Sequence, residues 1–327
     1  MPAYIDRGTI ANVASCAASG SEHVLIDRVA ISRFVRDNHE RIKEFADSGM
    51  VGYPGYGFNG INRDQMLNAA FLINSLNFSY WFRDGHWKFS DGKRGAEGSS
   101  GLSLAFKAAI EKGMEVYDAD FLLHLTGERF AEMLGDGRRI PLFRERLAIL
   151  KEDGAVLKRE YGGRVSNLLR REDSVIGLVN RIATDFPSFL DYSPYGRERH
   201  PVYLMKRAQL FVWDASRNFP WTLRATDTEN LTSFADYRVP MSLRRHGMIF
   251  YSDGLASRID GGMPVRHNSD PEIENRFVPL AAIEMEKGEL GRYGIRVTSA
   301  VLDAFHWLDA HNGPDGERHI LSRTIAY

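Results

Sequence analysis

Apolar positions along the chain recur mostly at intervals of three and four, the period of a helix with one buried face. Pro141 opens one such stretch, Leu142 to Asp153, with Leu142, Phe143, Leu147 and Leu150 as its stripe and Gly154 behind it. Proline inside the start and glycine past the end is the asymmetry that helices prefer. Ser174 can cap a second helix carrying Val175, Ile176, Val179 and Ile182, with Pro187 beyond it as a stop. Ser269 and Glu272 have capping-box spacing ahead of Ile273 to Lys287, a segment that Pro279 should kink. Tyr203 to Asp214 is apolar around most of a helical circumference, which predicts a buried helix. Val301, Leu302, Phe305 and Leu308 mark a last amphipathic helix.

Two places read as β. Phe78 to Phe89 is rich in aromatic residues around Asp84-Gly85, a strong hairpin signal. Val156 to Leu168 alternates around Gly162-Gly163 and suggests a second hairpin. Strands do not alternate with helices in a βαβ rhythm. The predicted fold class is therefore mainly α with small β-hairpin additions. Residues 1–20 read as a frayed N-terminus or a short helix. Residues 21–327 read as one compact catalytic domain, or as two helical lobes around a central pocket.

Composition narrows the partners. Lys and Arg number 42 against 43 Asp and Glu, so there is no cationic surplus for an extended grip on nucleic acid. A small phosphorylated ligand needs only a few local donors and stays open. The single cysteine, Cys16, can form neither an intramolecular disulfide nor a zinc cluster, which fits a reducing cytoplasm. No apolar run approaches a membrane span, and no signal peptide is evident. Metal spacing and a nucleophile elbow are both absent, so neither a metal nor any other cofactor is expected.

Several segments carry candidate chemistry. Gly55, Gly57 and Gly60 spell G-x-G-x-x-G, but the preceding residues make a poor strand, so a loop is the better account than a dinucleotide site. Asn77, Phe78, Ser79, Tyr80 and Trp81 could be an aromatic core hairpin or the wall of a pocket for a planar base. As a strand, this run puts Asn77, Ser79 and Trp81 on one face. Lys206 and Arg207 sit inside an apolar helix; one should snorkel to solvent and the other meet a carboxylate or a polar cavity. Asp236 lies among apolar and aromatic neighbours just before Pro240, where the backbone should break. It is either a carboxylate with tuned electrostatics or a local partner of Arg238 or the next helix. Glu274 and Arg276 point different ways on a helix and read most simply as solvated charges.

Taken in order, these blocks resemble the queuosine-salvage proteins, the queuosine 5′-phosphate N-glycosylases/hydrolases. The blocks are Asn77 to Trp81, Ile140-Pro141-Leu142 with Glu145-Arg146-Leu147, and Phe186 to Asp191. Lys206-Arg207-Ala208-Gln209, Phe234 to Pro240, Ser269 to Glu272 and Glu274 to Arg276 complete them. Departures from the family pattern include Met241, Val212 to Ala215, Asn275 and Phe277.

The resemblance implies a helical fold like that of the helix-hairpin-helix DNA glycosylases. It also implies a mononucleotide substrate, queuosine 5′-monophosphate, cleaved to queuine and ribose 5-phosphate. Under that reading Asp236 stabilises positive charge on the ribose and accepts a proton from water. Lys206 holds Asp236 ionised or touches the ligand. Phe78, Trp81 and Tyr237 are expected to stack or form walls, and Asn77, Ser79 and Glu274 to read the edge of the base. Arg238 or Arg276 would bind the 5′-phosphate. Two rivals are a glycosylase acting on nucleic acid and a non-catalytic binder of queuine nucleotides.

Overall fold

The computed structural model describes residues 20–49, 57–135 and 137–327. The stretch 1–19, Gly55 of the glycine motif and Cys16 lie outside those residues.

Two hydrophobic clusters organise the described chain. The first surrounds helix Arg63–Ser75, in which every residue from Leu67 to Ser75 is buried. Its entry is fixed by a reciprocal capping box between Asn62 and Gln65. Helices Gly98–Glu111, Phe143–Tyr161, Val165–Leu169 and Lys206–Asn218 pack around it. The second cluster is built on helix Asp270–Arg292, against helices Arg28–Asp47, Val239–Arg245 and Ser299–His311.

Among the described residues strands occur only as antiparallel pairs: Val24–Ile26 with Ile249–Tyr251, Trp81–Phe82 with Gly85–His86, Lys88–Ser90 with Gly95–Glu97, and Tyr192–Tyr195 with His200–Tyr203. A mainly helical chain with short hairpins is thus what the periodicity indicated. Among the described residues no helix is long and apolar enough to cross a membrane.

Several local expectations are corrected. The helix after Pro141 begins at Phe143, behind Leu142 in the left-handed region, and does not stop at Gly154. It runs on to Tyr161, so Val156 to Leu168 forms no hairpin. Gly162 and Gly163 instead end the helix at positive φ, both amides returning to the Leu157 carbonyl. Gly154 has a packing role: a Cβ there would stand 2.8 Å from the Ala119 carbonyl oxygen and 2.8 Å from Leu122 Cβ.

In the first hairpin Phe82 pairs with Gly85, so the turn is Arg83-Asp84 and not Asp84-Gly85. Residues 77–80 are not strand; Ser79 at φ 38° breaks the face that Asn77, Ser79 and Trp81 were expected to share. The segment at Tyr203 is likewise divided. Tyr203 ends a strand, and the buried helix starts at Lys206 after Met205, at φ 51°. Both Lys206 and Arg207 are buried, so neither snorkels. Ser269 does stand at the N-cap of its helix, but its hydroxyl bonds the Arg266 carbonyl and no capping box forms. That helix continues through Pro279. Pro240 opens helix Val239–Arg245 at its first turn, where proline lacks no needed donor. Before the glycine motif, Ser48 caps a helix, which leaves no strand at that described end.

Candidate functional site: a cleft beside a buried lysine–aspartate pair

Helix Arg63–Ser75 ends in a segment whose carbonyls face three buried cations. Arg207 donates to the Ser75 oxygen, and Arg146 to the oxygens of Leu76 and Phe78. Arg146 also reaches the Ser79 oxygen at 3.2 Å, and Lys206 Nζ reaches the Asn77 oxygen at 3.0 Å. Cations at a helix C-terminus are favourable, and here they answer carbonyls that have no helical partner. Burial pushes Arg146 and Arg207 down to about 10, which still leaves both charged at neutral pH. Arg146 additionally sits over the rings of Phe78 and Tyr80, 4.1 and 4.8 Å from their centroids. Residues 75–80 are therefore held as an irregular loop by side chains from two other helices.

Lys206 joins this loop to Asp236. Its Nζ lies 3.2 Å from Asp236 Oδ2, with the lysine side chain 3% and the aspartate side chain 12% exposed. Burial lowers the Lys206 pKa, and the neighbouring Asp236 carboxylate opposes that. Asp236 Oδ1 accepts the Arg238 amide at 2.8 Å, which aims the carboxylate at the start of helix Val239–Arg245. Asp303, from helix Ser299–His311, accepts the Phe234 amide at 2.7 Å. Burial raises its pKa well above the ordinary carboxylate range, and Asp236 adds to that. Asp303 is thus a buried carboxyl that resists ionisation beside an ion pair.

One face of this arrangement opens into a cleft. Asn77, Tyr80, His86, Glu97, Asp236, Tyr237, Arg238, Trp307 and His311 line it, with Arg238 3.0 Å from His86 Nε2. Gly98, Ser99 and Ser100, the first turn of helix Gly98–Glu111, complete the wall. That turn is delivered by the hairpin Lys88–Ser90/Gly95–Glu97, and Gly101 permits the approach: a Cβ there would lie 2.6 Å from the Ala96 carbonyl oxygen. Burial and Arg238 push His86 down to about 4, and burial and Arg238 also lower His311. Both imidazoles are neutral at physiological pH.

The structure brings Asn77, Lys206, Asp236, Tyr237 and Arg238 together. It sends the other sequence candidates elsewhere. Phe78 is buried under Arg146 and Arg207. Ser79 donates to the Thr324 oxygen and takes its place in anchoring residues 324–327. Trp81 packs in the second core beside His319. None of the three lines the cleft. Glu274, expected to read a base edge or be solvated, is 1% exposed and accepts the amides of Glu22, His23 and Val24 and the Tyr195 hydroxyl. Arg276 is also buried, paired in two places with Asp191 at 2.8 and 2.5 Å. Asp191 in turn accepts the Lys206 amide at 3.3 Å, so Arg276 supports the site from behind.

Sequence reasoning missed His86, Glu97, Ser99, Ser100, Trp307, His311 and Asp303. One signal was available: Asp303, Trp307 and His311 lie four apart, on one face of the last predicted helix.

The chain matches the model of the queuosine salvage protein family over residues 59–326. It belongs to that family. Among its relatives, a queuosine 5′-phosphate N-glycosylase/hydrolase of Sphaerobacter thermophilus is 29% identical over 81% of this chain and 82% of its own. The protein of that name from Schizosaccharomyces pombe is 31% identical over 74% of this chain and 73% of its own. The one from Bos taurus is 27% identical, covering 74% of each chain. The matched span contains the loop 75–80, Lys206, Asp236 and the whole cleft.

Proposed function

We propose that this protein hydrolyses the N-glycosidic bond of queuosine 5′-monophosphate, releasing queuine and ribose 5-phosphate for queuine salvage. The observation that carries the reading is the Asp236 carboxylate, held at the cleft by a buried lysine in a chain of this family.

As the base departs, positive charge develops at C1′ of the ribose. A fixed carboxylate beside it lowers that barrier, and the same group can take the proton of an attacking water. The C1′–N bond breaks, the water oxygen bonds C1′, and the bonding electrons leave with the base, which must also gain a proton. Lys206 supplies the counter-charge of Asp236 and orients it. Tyr80 and Tyr237 offer rings as walls, and Asn77 a side-chain amide. Phe78, Ser79 and Arg276 support the site indirectly through the loop, the tail segment and Asp191, while Trp81 and Glu274 belong to the packing around it.

The near balance of charge favours a small ligand over nucleic acid, and the lone cysteine fits a cytoplasmic setting. The helical scaffold is compatible with kinship to helix-hairpin-helix glycosylases.

The test is incubation of purified protein with queuosine 5′-monophosphate, following free queuine by chromatography and mass spectrometry. Wild type should release queuine, and Asp236→Asn should lose on the order of 10²-fold or more in turnover while remaining folded. Ligand binding without release would favour a non-catalytic binder. Salt-sensitive duplex binding would favour a nucleic-acid glycosylase.

A further inference from the structure

Outside the cleft lining, three side chains with the composition of a hydrolase triad meet with no access to solvent. Ser242, His306 and Glu286 are each 0% exposed and come from helices Val239–Arg245, Ser299–His311 and Asp270–Arg292. His306 Nδ1 lies 2.8 Å from Ser242 Oγ, and its Nε2 lies 2.8 Å from Glu286 Oε2. The Ser242 hydroxyl also donates to Asp309 Oδ2 at 2.8 Å. Burial opposes ionisation of Asp309, but His246, Ser242 and Arg245 outweigh it and hold that carboxyl below the ordinary carboxylate range. One hydroxyl proton cannot serve both neighbours. The Asp309 carboxylate takes it, so His306 Nδ1 is itself an N–H that donates to Ser242. That is the reverse of nucleophile activation, in which histidine accepts the serine proton. The constellation is a tether and not a nucleophile.

What it tethers is the segment that carries Asp236, which is tied to helix Ser299–His311 at two points. Asp303 accepts the Phe234 amide two residues before Asp236, and His306 with Asp309 grips Ser242 six residues after it. Asp303, His306 and Asp309 are spaced by three and so lie along one side of their helix. Glu286 fixes the far edge of the imidazole from a third helix. Between the two anchors, the Arg238 amide at the N-cap of the Ser242 helix donates to Asp236.

We infer that His306, with Ser242 and Glu286, is a positioning residue for the reaction: it fixes the helix from whose start Asp236 is aimed into the cleft. This rests on the function proposed above. A carboxylate that stabilises charge at one ribose carbon acts only when correctly placed, and a displacement of about 1 Å can cost about 10²-fold in rate.

The test uses Ser242→Ala, which deletes the hydroxyl joining the two helices, and His306→Gln should that variant fold poorly. Measurements are made well below the unfolding temperature of each protein. The first readout is steady-state hydrolysis of queuosine 5′-monophosphate. Positioning predicts that kcat falls about 10-fold or more while KM changes by less than about 3-fold. A variant of lowered melting temperature whose kcat equals that of wild type would reveal a purely structural tether and overturn the inference. The second readout needs no turnover: hydrogen exchange of the Arg238 amide, resolved by NMR. Its exchange should quicken by about 10-fold or more in the variant, while the amides of helix Arg63–Ser75 in the first cluster keep their rates. Unchanged protection at Arg238, or equal quickening in both places, would overturn the inference. Absence of queuine with wild type would sink the function proposed above by itself, and the Arg238 amide would still report on the tether.

Discussion

Lys206 lies 3.2 Å from Asp236 and 3.0 Å from the carbonyl oxygen of Asn77, so one buried ammonium ties the candidate acid to the loop that faces it. Neither contact is local: the lysine is on one helix, the loop ends a second, and the aspartate precedes a third. Because the pair acts as a unit, its two members should not contribute additively. Lys206→Met is expected to cut turnover by about 10-fold or more and to cost roughly 1–3 kcal/mol of stability, since it strands the Asn77 carbonyl and leaves Asp236 without its counter-charge. The double variant Lys206→Met/Asp236→Asn should be no slower than Asp236→Asn alone. Steady-state rates and urea unfolding of the four proteins measure both effects. Multiplying losses would show that the two side chains work separately.

Asp303 offers a different separation of roles. It accepts the Phe234 amide, and burial with Asp236 nearby keeps it protonated well above the usual carboxylate range. Its folded pKa is raised, so the folded state holds a proton that the unfolded chain has already lost above about pH 3.9. That contribution to stability is complete below the unfolded pKa and fades as pH rises through the folded one. Asp303→Asn keeps an acceptor for Phe234 and removes the titration. Its urea midpoint should therefore improve relative to wild type as pH rises above the unfolded pKa of about 3.9. Asp303→Leu should lose roughly 1–3 kcal/mol at any pH because the amide is left unpaired. A flat difference between Asn and wild type across pH would mean that Asp303 is ionised in the fold.

His319 should govern part of the acid side. It is buried against Tyr237, with ring centroids 4.4 Å apart, and burial holds its pKa down to about 3. The unfolded chain takes up a proton near pH 6.5 that the folded state refuses, so stability falls as pH drops from about 6.5 toward 3. Replacing it with glutamine should flatten that decline, measured as the urea midpoint at several pH values. An unchanged slope in His319→Gln would assign acid sensitivity to other groups.

Gly154→Ala sets two effects of opposite sign against each other. Alanine gains about 1 kcal/mol over glycine in a helix interior. Against that, its Cβ would press at 2.8 Å on the Ala119 carbonyl oxygen and on Leu122 Cβ, both in or beside the packed helix Ala119–Leu123. Overpacking of this kind typically costs 1–3 kcal/mol. A net loss of about 1 kcal/mol or more is expected from thermal or urea unfolding. A more stable variant would show that the two helices can part without penalty.

Period and punctuation carried much of the fold. The helix after Ser174 and the one after Ser269 start where capping residues stand, and the last helix buries Leu302 and Phe305 of its expected stripe while Leu308 stays exposed. The errors share a cause: a glycine reads alike whether it ends a helix, turns a hairpin or admits a neighbour. Gly154 admits Ala119 and Leu122, while Gly162 ends the helix that Gly154 was expected to end. Nothing local distinguishes them, because the difference lies in which backbone approaches. The strand expected through residues 77–80 failed similarly. Arg146 and Lys206 satisfy the carbonyls of Asn77, Phe78 and Ser79 from elsewhere in the chain, and a loop whose carbonyls are answered needs no ladder.

The ordered blocks of residues were enough, without coordinates, to indicate the family, a helical scaffold, and Lys206 and Asp236 as the residues to watch. Those properties follow from residue type and short-range spacing, which a linear chain displays directly. Only the tertiary structure decided that Lys206 pairs with Asp236, that Glu274 and Arg276 are buried struts, and that His86, Ser99 and His311 line one cleft with Arg238. Burial and charge pairing are set by contacts between residues far apart in the chain, and a side chain's role changes with the partner that desolvates or neutralises it.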